Sequence, residues 1–143
     1  MKHALRLFLL LGSIISNIEN GHAQSAAWQQ SSHWTLYNLG GVKFYKVKTD
    51  SLSFYSSRPL DDDSMHDFLA HASELASEQA PLWMGAFVTS CMIDGKMHKV
   101  DISSYGTFFF DETAKKYFQV TQDVRTDWLN YLANSAGSVP SKK

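Results

Sequence analysis

The chain has 143 residues, of which 44% are apolar and 13% aromatic, and this amount of bulky apolar surface suits one compact domain. Such a composition excludes disordered and collagen-like classes. The 13 basic residues are scattered and are balanced by 14 acidic ones, so no basic patch of the kind that binds nucleic acid is predicted.

The N-terminal segment has the pattern of a secretory signal peptide, which we assign to residues 1–23. Lys2 and Arg6 give it a positive start, residues 7–15 form an apolar run, and small residues stand three and one positions before the expected cut. The apolar run is too short for a membrane-spanning helix, which needs about 20 residues. We therefore expect a periplasmic or secreted protein without stable membrane insertion after cleavage.

Cysteine usage refines that expectation. Cys91 is the only cysteine, so an internal disulfide is impossible. The sequence also has no Asn-x-Ser/Thr glycosylation site. Export without disulfides or such sites is more typical of the bacterial envelope than of an animal extracellular domain.

The first predicted elements follow a flexible lead-in over residues 24–32. From His33 the pattern is that of a strand. Residues 42–49 and 52–57 alternate apolar or aromatic with polar side chains, and Asp50-Ser51 separates the two runs. This pattern predicts a β-hairpin.

A helix is predicted to begin where Pro59 and the run Asp61-Asp62-Asp63 interrupt the strand pattern, with Asp61 as its N-cap. It should extend to about Gln79, before Pro81. The apolar residues at helical spacing form its expected buried face: Met65, Phe68, Leu69, Ala72, Leu75 and Ala76.

The next predicted elements form the centre of a sheet. Residues 82–93 are apolar on both alternating sets, which indicates a strand covered on two sides. Asp94-Gly95 predicts a two-residue hairpin turn. The returning strand, residues 96–103, is expected to be half solvated, with Lys99, Asp101 and Ser103 facing water.

Two further strands, residues 107–111 and 116–120, and a helix over residues 122–135 complete the predicted domain. The helix has an apolar stripe that includes Val124, Trp128 and Leu132. Gly137 is the expected stop, and residues 137–143 form a flexible tail.

The predicted fold class is therefore α+β. A single domain over residues 33–136 should hold a mostly antiparallel sheet of about five to six strands, with one inserted helix and one C-terminal helix. The order of the strands in the sheet is not readable from the sequence.

Cys91 and His98 form the first candidate site. A two-residue turn at Asp94-Gly95 places them opposite each other with Cβ atoms about 5 Å apart. An imidazole at that distance can activate a thiol for acyl transfer. The same side of the strands also includes Trp83, Phe87 and other apolar residues, and this favours a buried cysteine in the core over a catalytic pair.

The second candidate is a stripe of Asp67, His71, Glu74 and Glu78 on the solvent side of the first predicted helix. Such a set can bind a divalent cation weakly. Exposed helix faces consist of such residues in any case, and no second ligand cluster accompanies them, so no metal site and no cofactor are predicted.

The third candidate is the acidic start of that helix. Capping and the helix dipole account for part of the run, but three adjacent aspartates exceed that need. We predict that Asp62, Asp63 and Asp67 form a partner-binding patch for a protein with a basic surface.

No phosphate-binding loop, nucleophile elbow or dinucleotide motif is present in the sequence. We therefore predict an exported protein-binding module of the inhibitor or immunity type, which blocks a partner protein in the bacterial envelope, and not an enzyme. Two alternatives stay open. One is a small hydrolase or transferase that uses Cys91 and His98, and the other is a small-molecule carrier.

Overall fold

The computed structural model describes residues 28–76, 85–106, 108–121 and 123–139. The predicted signal peptide lies outside the described residues, as do Gln79, Trp83 and Gln122. The described chain is a single α+β domain, which confirms the predicted fold class, although its sheet has seven strands and not five to six.

The seven strands form one antiparallel sheet in the order β2-β1-β4-β5-β6-β7-β3. Their bounds are β1 (Ser32–Asn38), β2 (Ser56–Pro59), β3 (Ala72–Leu75), β4 (Gly85–Ile93), β5 (Lys96–Ser103), β6 (Phe108–Asp111) and β7 (Lys116–Val120). The α-helices are α1 (Asp62–Leu69) and α2 (Arg125–Gly137), and two 3₁₀-helices span Phe44–Lys46 and Thr49–Phe54.

The β4–β5 hairpin is the centre of the sheet and agrees with the sequence prediction. Asp94 and Gly95 have φ of 49° and 72°, the left-handed pair that a type I′ turn requires. The resulting register pairs Cys91 with His98 and Ile93 with Lys96. Strand β5 also has the predicted bounds, and so does β7.

The hairpin predicted over residues 42–57 is wrong. Strand β2 pairs with β1 and places Tyr37 opposite Ser57, while the intervening segment forms the two 3₁₀-helices. These turns bury Val47 and Leu52 against Val88 of β4. The alternation seen in the sequence thus serves to cover the second face of the sheet rather than to extend it.

Helix α1 is shorter than the sequence predicts. Asp61 is its N-cap as expected, and its carboxylate accepts a hydrogen bond from the Ser64 amide. The helix ends at Leu69, and residues 72–75 then form β3 against β7. Pairing with β7 satisfies backbone groups along that edge, and a short apolar run fits either a helical or a strand period.

The main core lies between the sheet and the two α-helices. Its members are mutually packed apolar side chains, and they include Trp34, Met65, Phe109, Trp128 and Leu132. Trp28 and Val139 also belong to this core, at 5% and 7% exposed. The packed chain therefore includes residues that the sequence assigned to the flexible lead-in and tail.

Among the described residues, no helix combines the length and the apolar character needed to cross a bilayer. Helix α2 begins at Arg125 and has Gly137 as its last residue, with Ser138 as the C-cap.

Candidate functional site

The structure contains three groups of polar or ionisable side chains that could form a functional site. One contains the predicted pair Cys91 and His98, the second is the acidic start of α1, and the third is a buried ion cluster on β5.

The register of three neighbouring strands aligns Cys91, His98 and Asp111 on the helix-covered face of the sheet. Cys91 lies opposite His98, as predicted, and Asp111 follows on β6. The Nδ1 atom of His98 lies 2.8 Å from Oδ2 of Asp111. The other carboxylate oxygen of Asp111 accepts hydrogen bonds from the amides of Thr113 and Ala114. The β6–β7 turn therefore uses the same carboxylate that orients the imidazole.

Cys91 is poorly suited to act as a nucleophile in this setting. Its side chain is 1% exposed and belongs to the main core. Burial raises the pKa of its thiol well above the usual range, and the negative charges of Asp111 and Asp62 raise it further. Since the thiolate is the reactive form, this environment suppresses reaction with an electrophile.

We expect native Cys91 to react with a thiol reagent such as Ellman's reagent more than about 1,000-fold more slowly than the unfolded chain. Reaction requires an opening of the core, and the free energy of that opening approaches the global stability. The measurement compares the labelling rate of the folded protein with the rate in about 6 M guanidinium, which unfolds it. Rapid labelling of the folded protein would contradict the buried, protonated state and restore Cys91 and His98 as an enzyme site.

The acidic start of α1 is hydrogen-bonded to the rest of the domain through Asp61 and Asp62. Oδ1 and Oδ2 of Asp62 each accept a hydrogen bond at 3.0 Å, from the amides of Trp34 and His33 respectively. A register shift between Ser32 and Thr35 of β1 accompanies this contact. The amide of Asp61 donates to the Tyr131 hydroxyl at 2.8 Å. Helix α1 is thus tied to both β1 and α2.

Asp63 and Asp67 differ from their neighbours because they are exposed and make no ion pair within the part of the chain that the structure describes. They stand one helical turn apart on α1. We call these two residues the acidic surface. Asp62, the third residue of the predicted patch, instead has its carboxylate engaged with the backbone of β1.

The stripe of Asp67, His71, Glu74 and Glu78 that was expected on one helix face does not form along one helix. Asp67 lies on α1, His71 follows the end of that helix, and Glu74 lies on β3, where its carboxylate pairs with Lys116 at 3.3 Å. Glu78 is outside the described residues. Among the residues described, no group of three His, Cys, Asp or Glu side chains could hold a metal ion.

The ion cluster on β5 was missed by the sequence prediction, which placed Lys99 and Asp101 in water. Lys99 is 0% exposed and Asp101 is 3% exposed. The Lys99 ammonium donates to Glu112 Oε2 at 2.6 Å, Asp101 Oδ2 at 3.1 Å and the Phe44 carbonyl at 3.3 Å. All three of its N–H groups are therefore used.

This cluster fastens the first 3₁₀-helix to the sheet, because the Phe44 carbonyl is one of the three acceptors. Burial raises the pKa of Asp101 to about 6, against the opposing effect of Lys99, and its Oδ1 atom has no hydrogen-bond partner among the described residues. A signal for the cluster was present in the sequence. Alternation along the strand places Lys99 and Asp101 on one face, although it does not show that this face is covered.

The function proposed below is supported by the sequence and by this geometry. The chain was compared with models of protein families, with curated proteins and with solved structures, and none of them matches it.

Proposed function

We propose that this chain is an exported protein-binding module of the inhibitor or immunity type, which acts in the bacterial envelope by blocking a partner protein with a basic surface. The observation that carries the proposal is the acidic surface, Asp63 and Asp67. Both carboxylates are exposed on a helix whose start is fixed to the rest of the domain.

Rigid attachment supports this proposal for an energetic reason. Binding loses free energy when flexible groups have to be ordered, and a surface that is already fixed avoids much of that cost. Asp62 and Tyr131 contribute this fixation through hydrogen bonds to the backbone. Unpaired carboxylates on such a surface accelerate the encounter with a basic partner.

The enzyme alternative is the weaker proposal. It requires an accessible thiolate at Cys91, whereas the side chain is 1% exposed and the pKa of its thiol is raised. His98 is paired with Asp111, and the Asp111 carboxylate also accepts a hydrogen bond from the Thr113 amide in the β6–β7 turn. A structural role therefore accounts for His98 and Asp111.

The proposal is tested by capturing a partner from envelope extract on the immobilised protein and measuring the association kinetics of the purified pair. We expect the double variant D63N/D67N to associate about tenfold more slowly at low salt and to show a flatter salt dependence. Dissociation should change less, because charges at the rim of an interface act mainly on encounter. Asp61 and Asp62 stay unchanged, since both hold the helix start in place.

The double variant D50N/D94N removes the same number of exposed carboxylates elsewhere and serves as the matched control. Its association rate should stay within about twofold of the parent protein. Equal effects of the two double variants would mean that net charge alone steers the partner, and the acidic surface would then have no specific role. An absence of any captured protein would contradict the binding function itself.

A further inference from the structure

A cleft of about 430 Å³ lies where the end of β1 meets the end of α2. Its walls come from Leu39, the Gly40-Gly41 turn, Phe87 of β4 and Ala136 of α2. Ligand sites for small molecules start at volumes of about 300 Å³. This cleft is therefore large enough for a compact organic ligand.

The Gly40-Gly41 turn keeps one wall of the cleft open. The two glycines have φ of +58° and +88°, and a Cβ placed on either would meet no atom within 4 Å. The turn is fixed because the Gly40 amide donates to Asn38 Oδ1 at 3.0 Å and the Val42 amide donates to the Leu39 carbonyl at 3.1 Å. A defined backbone without side chains allows a ligand to approach closely.

A single charged side chain lines the cleft among the described residues. This side chain is Lys43, and no carboxylate of a described residue lines the cleft. Lys43 is exposed and makes no ion pair with a described residue. Ala136, in the last turn of α2, also lines the cleft, and the dipole of that helix end disfavours an anion beside it.

From this lining, one cation beside apolar side chains, we infer that the cleft binds a small amphiphilic anion, with its acidic group at Lys43 and its apolar body between Leu39, Phe87 and Ala136. The apolar body meets side chains that are partly exposed in the free protein. Val42, which is 42% exposed at the rim, would lose contact with water in the complex. The class includes acyl and aromatic carboxylates or sulfonates, because the same charge and apolar body define them all. This binding activity is separate from the proposed protein-binding function.

The test uses the aromatic sulfonate 8-anilino-1-naphthalenesulfonate as the probe and the full folded protein. We expect saturable fluorescence enhancement, with backbone amide NMR shifts concentrated at Gly40, Gly41 and Ala136. The variant K43Q should weaken binding about fivefold, which is the effect of losing one partly exposed charge contact. The matched variant K46Q removes a neighbouring exposed lysine that does not line the cleft, and it should change binding less than twofold.

A neutral analogue, N-phenyl-1-naphthylamine, separates the role of charge from that of apolar contact. Its binding should be the same in K43Q and in the parent protein, because it has no acidic group for Lys43 to contact. Equal weakening of the sulfonate by K43Q and K46Q, or NMR shifts confined to other regions, would overturn the assignment. Retention of the near-UV circular dichroism spectrum in both variants excludes partial unfolding as the source of probe fluorescence.

Discussion

Replacing Lys99 with methionine is expected to lower the free energy of unfolding by about 3–5 kcal/mol. The change removes the cation that lies between Asp101 and Glu112, and it leaves the Asp101 carboxylate buried without compensation. The Phe44 carbonyl loses its hydrogen bond at the same time, so the first 3₁₀-helix is loosened from the sheet. Urea unfolding followed by circular dichroism provides the measurement.

Two further variants distinguish the buried cluster from an ordinary surface ion pair. K116M removes a lysine that is 48% exposed and pairs with Glu74, and it should cost no more than about 1 kcal/mol. K99M/D101N removes the buried Asp101 carboxylate together with the cation that it pairs with, and it should be more stable than K99M alone. A loss below about 1 kcal/mol in K99M would show that water reaches the cluster in solution.

Asp101 should make the protein less stable as the pH rises from about 4 to about 7. Burial raises the pKa of this carboxyl to about 6 in the folded protein, whereas its usual value is about 3.9. Between those two values the folded chain holds a proton that the unfolded chain has released, so the free energy of unfolding falls with increasing pH. The contribution is complete below the lower value and is lost once the pH passes the higher one.

The variant D101N isolates this contribution because its side chain does not titrate. The unfolding free energy of the parent protein minus that of D101N should fall by about 2 kcal/mol between about pH 4.5 and pH 7. The difference is measured by urea unfolding at fixed ionic strength, so that other titrating groups cancel. A difference that is flat, or that rises with pH, would mean that Lys99 and not burial dominates the environment of Asp101.

The sequence was sufficient to predict the elements whose signals are local. The Asp94-Gly95 turn fixes the β4–β5 register, and Cys91 faces His98 as the two-residue turn requires. Asp61 caps α1 because its short side chain reaches the Ser64 amide within a single turn. The α+β class follows from the same signals, since alternating and helical periods in one short chain specify both kinds of element.

Elements whose structure depends on a distant partner could not be read in this way. Residues 72–75 fit a helical period and a strand period equally well. They form a strand because the edge of β7 is available for backbone pairing. Segment 42–54 alternates like a strand, yet β1 takes β2 as its neighbour on that side, so the segment folds over the second face of the sheet. Only the tertiary structure determines which edge is available for pairing.

Some features of the candidate sites were predictable from local sequence, whereas others depend on the tertiary structure. The sequence by itself determined that Asp63 and Asp67 are acidic residues one helical turn apart, and that Cys91 lies beside His98. The tertiary structure decided that Asp62 binds the backbone of β1, that Asp111 joins His98, and that Lys99 is fully buried. The physical reason is that alternation along a strand tells which side chains share a face, whereas burial of that face depends on what the rest of the chain places over it.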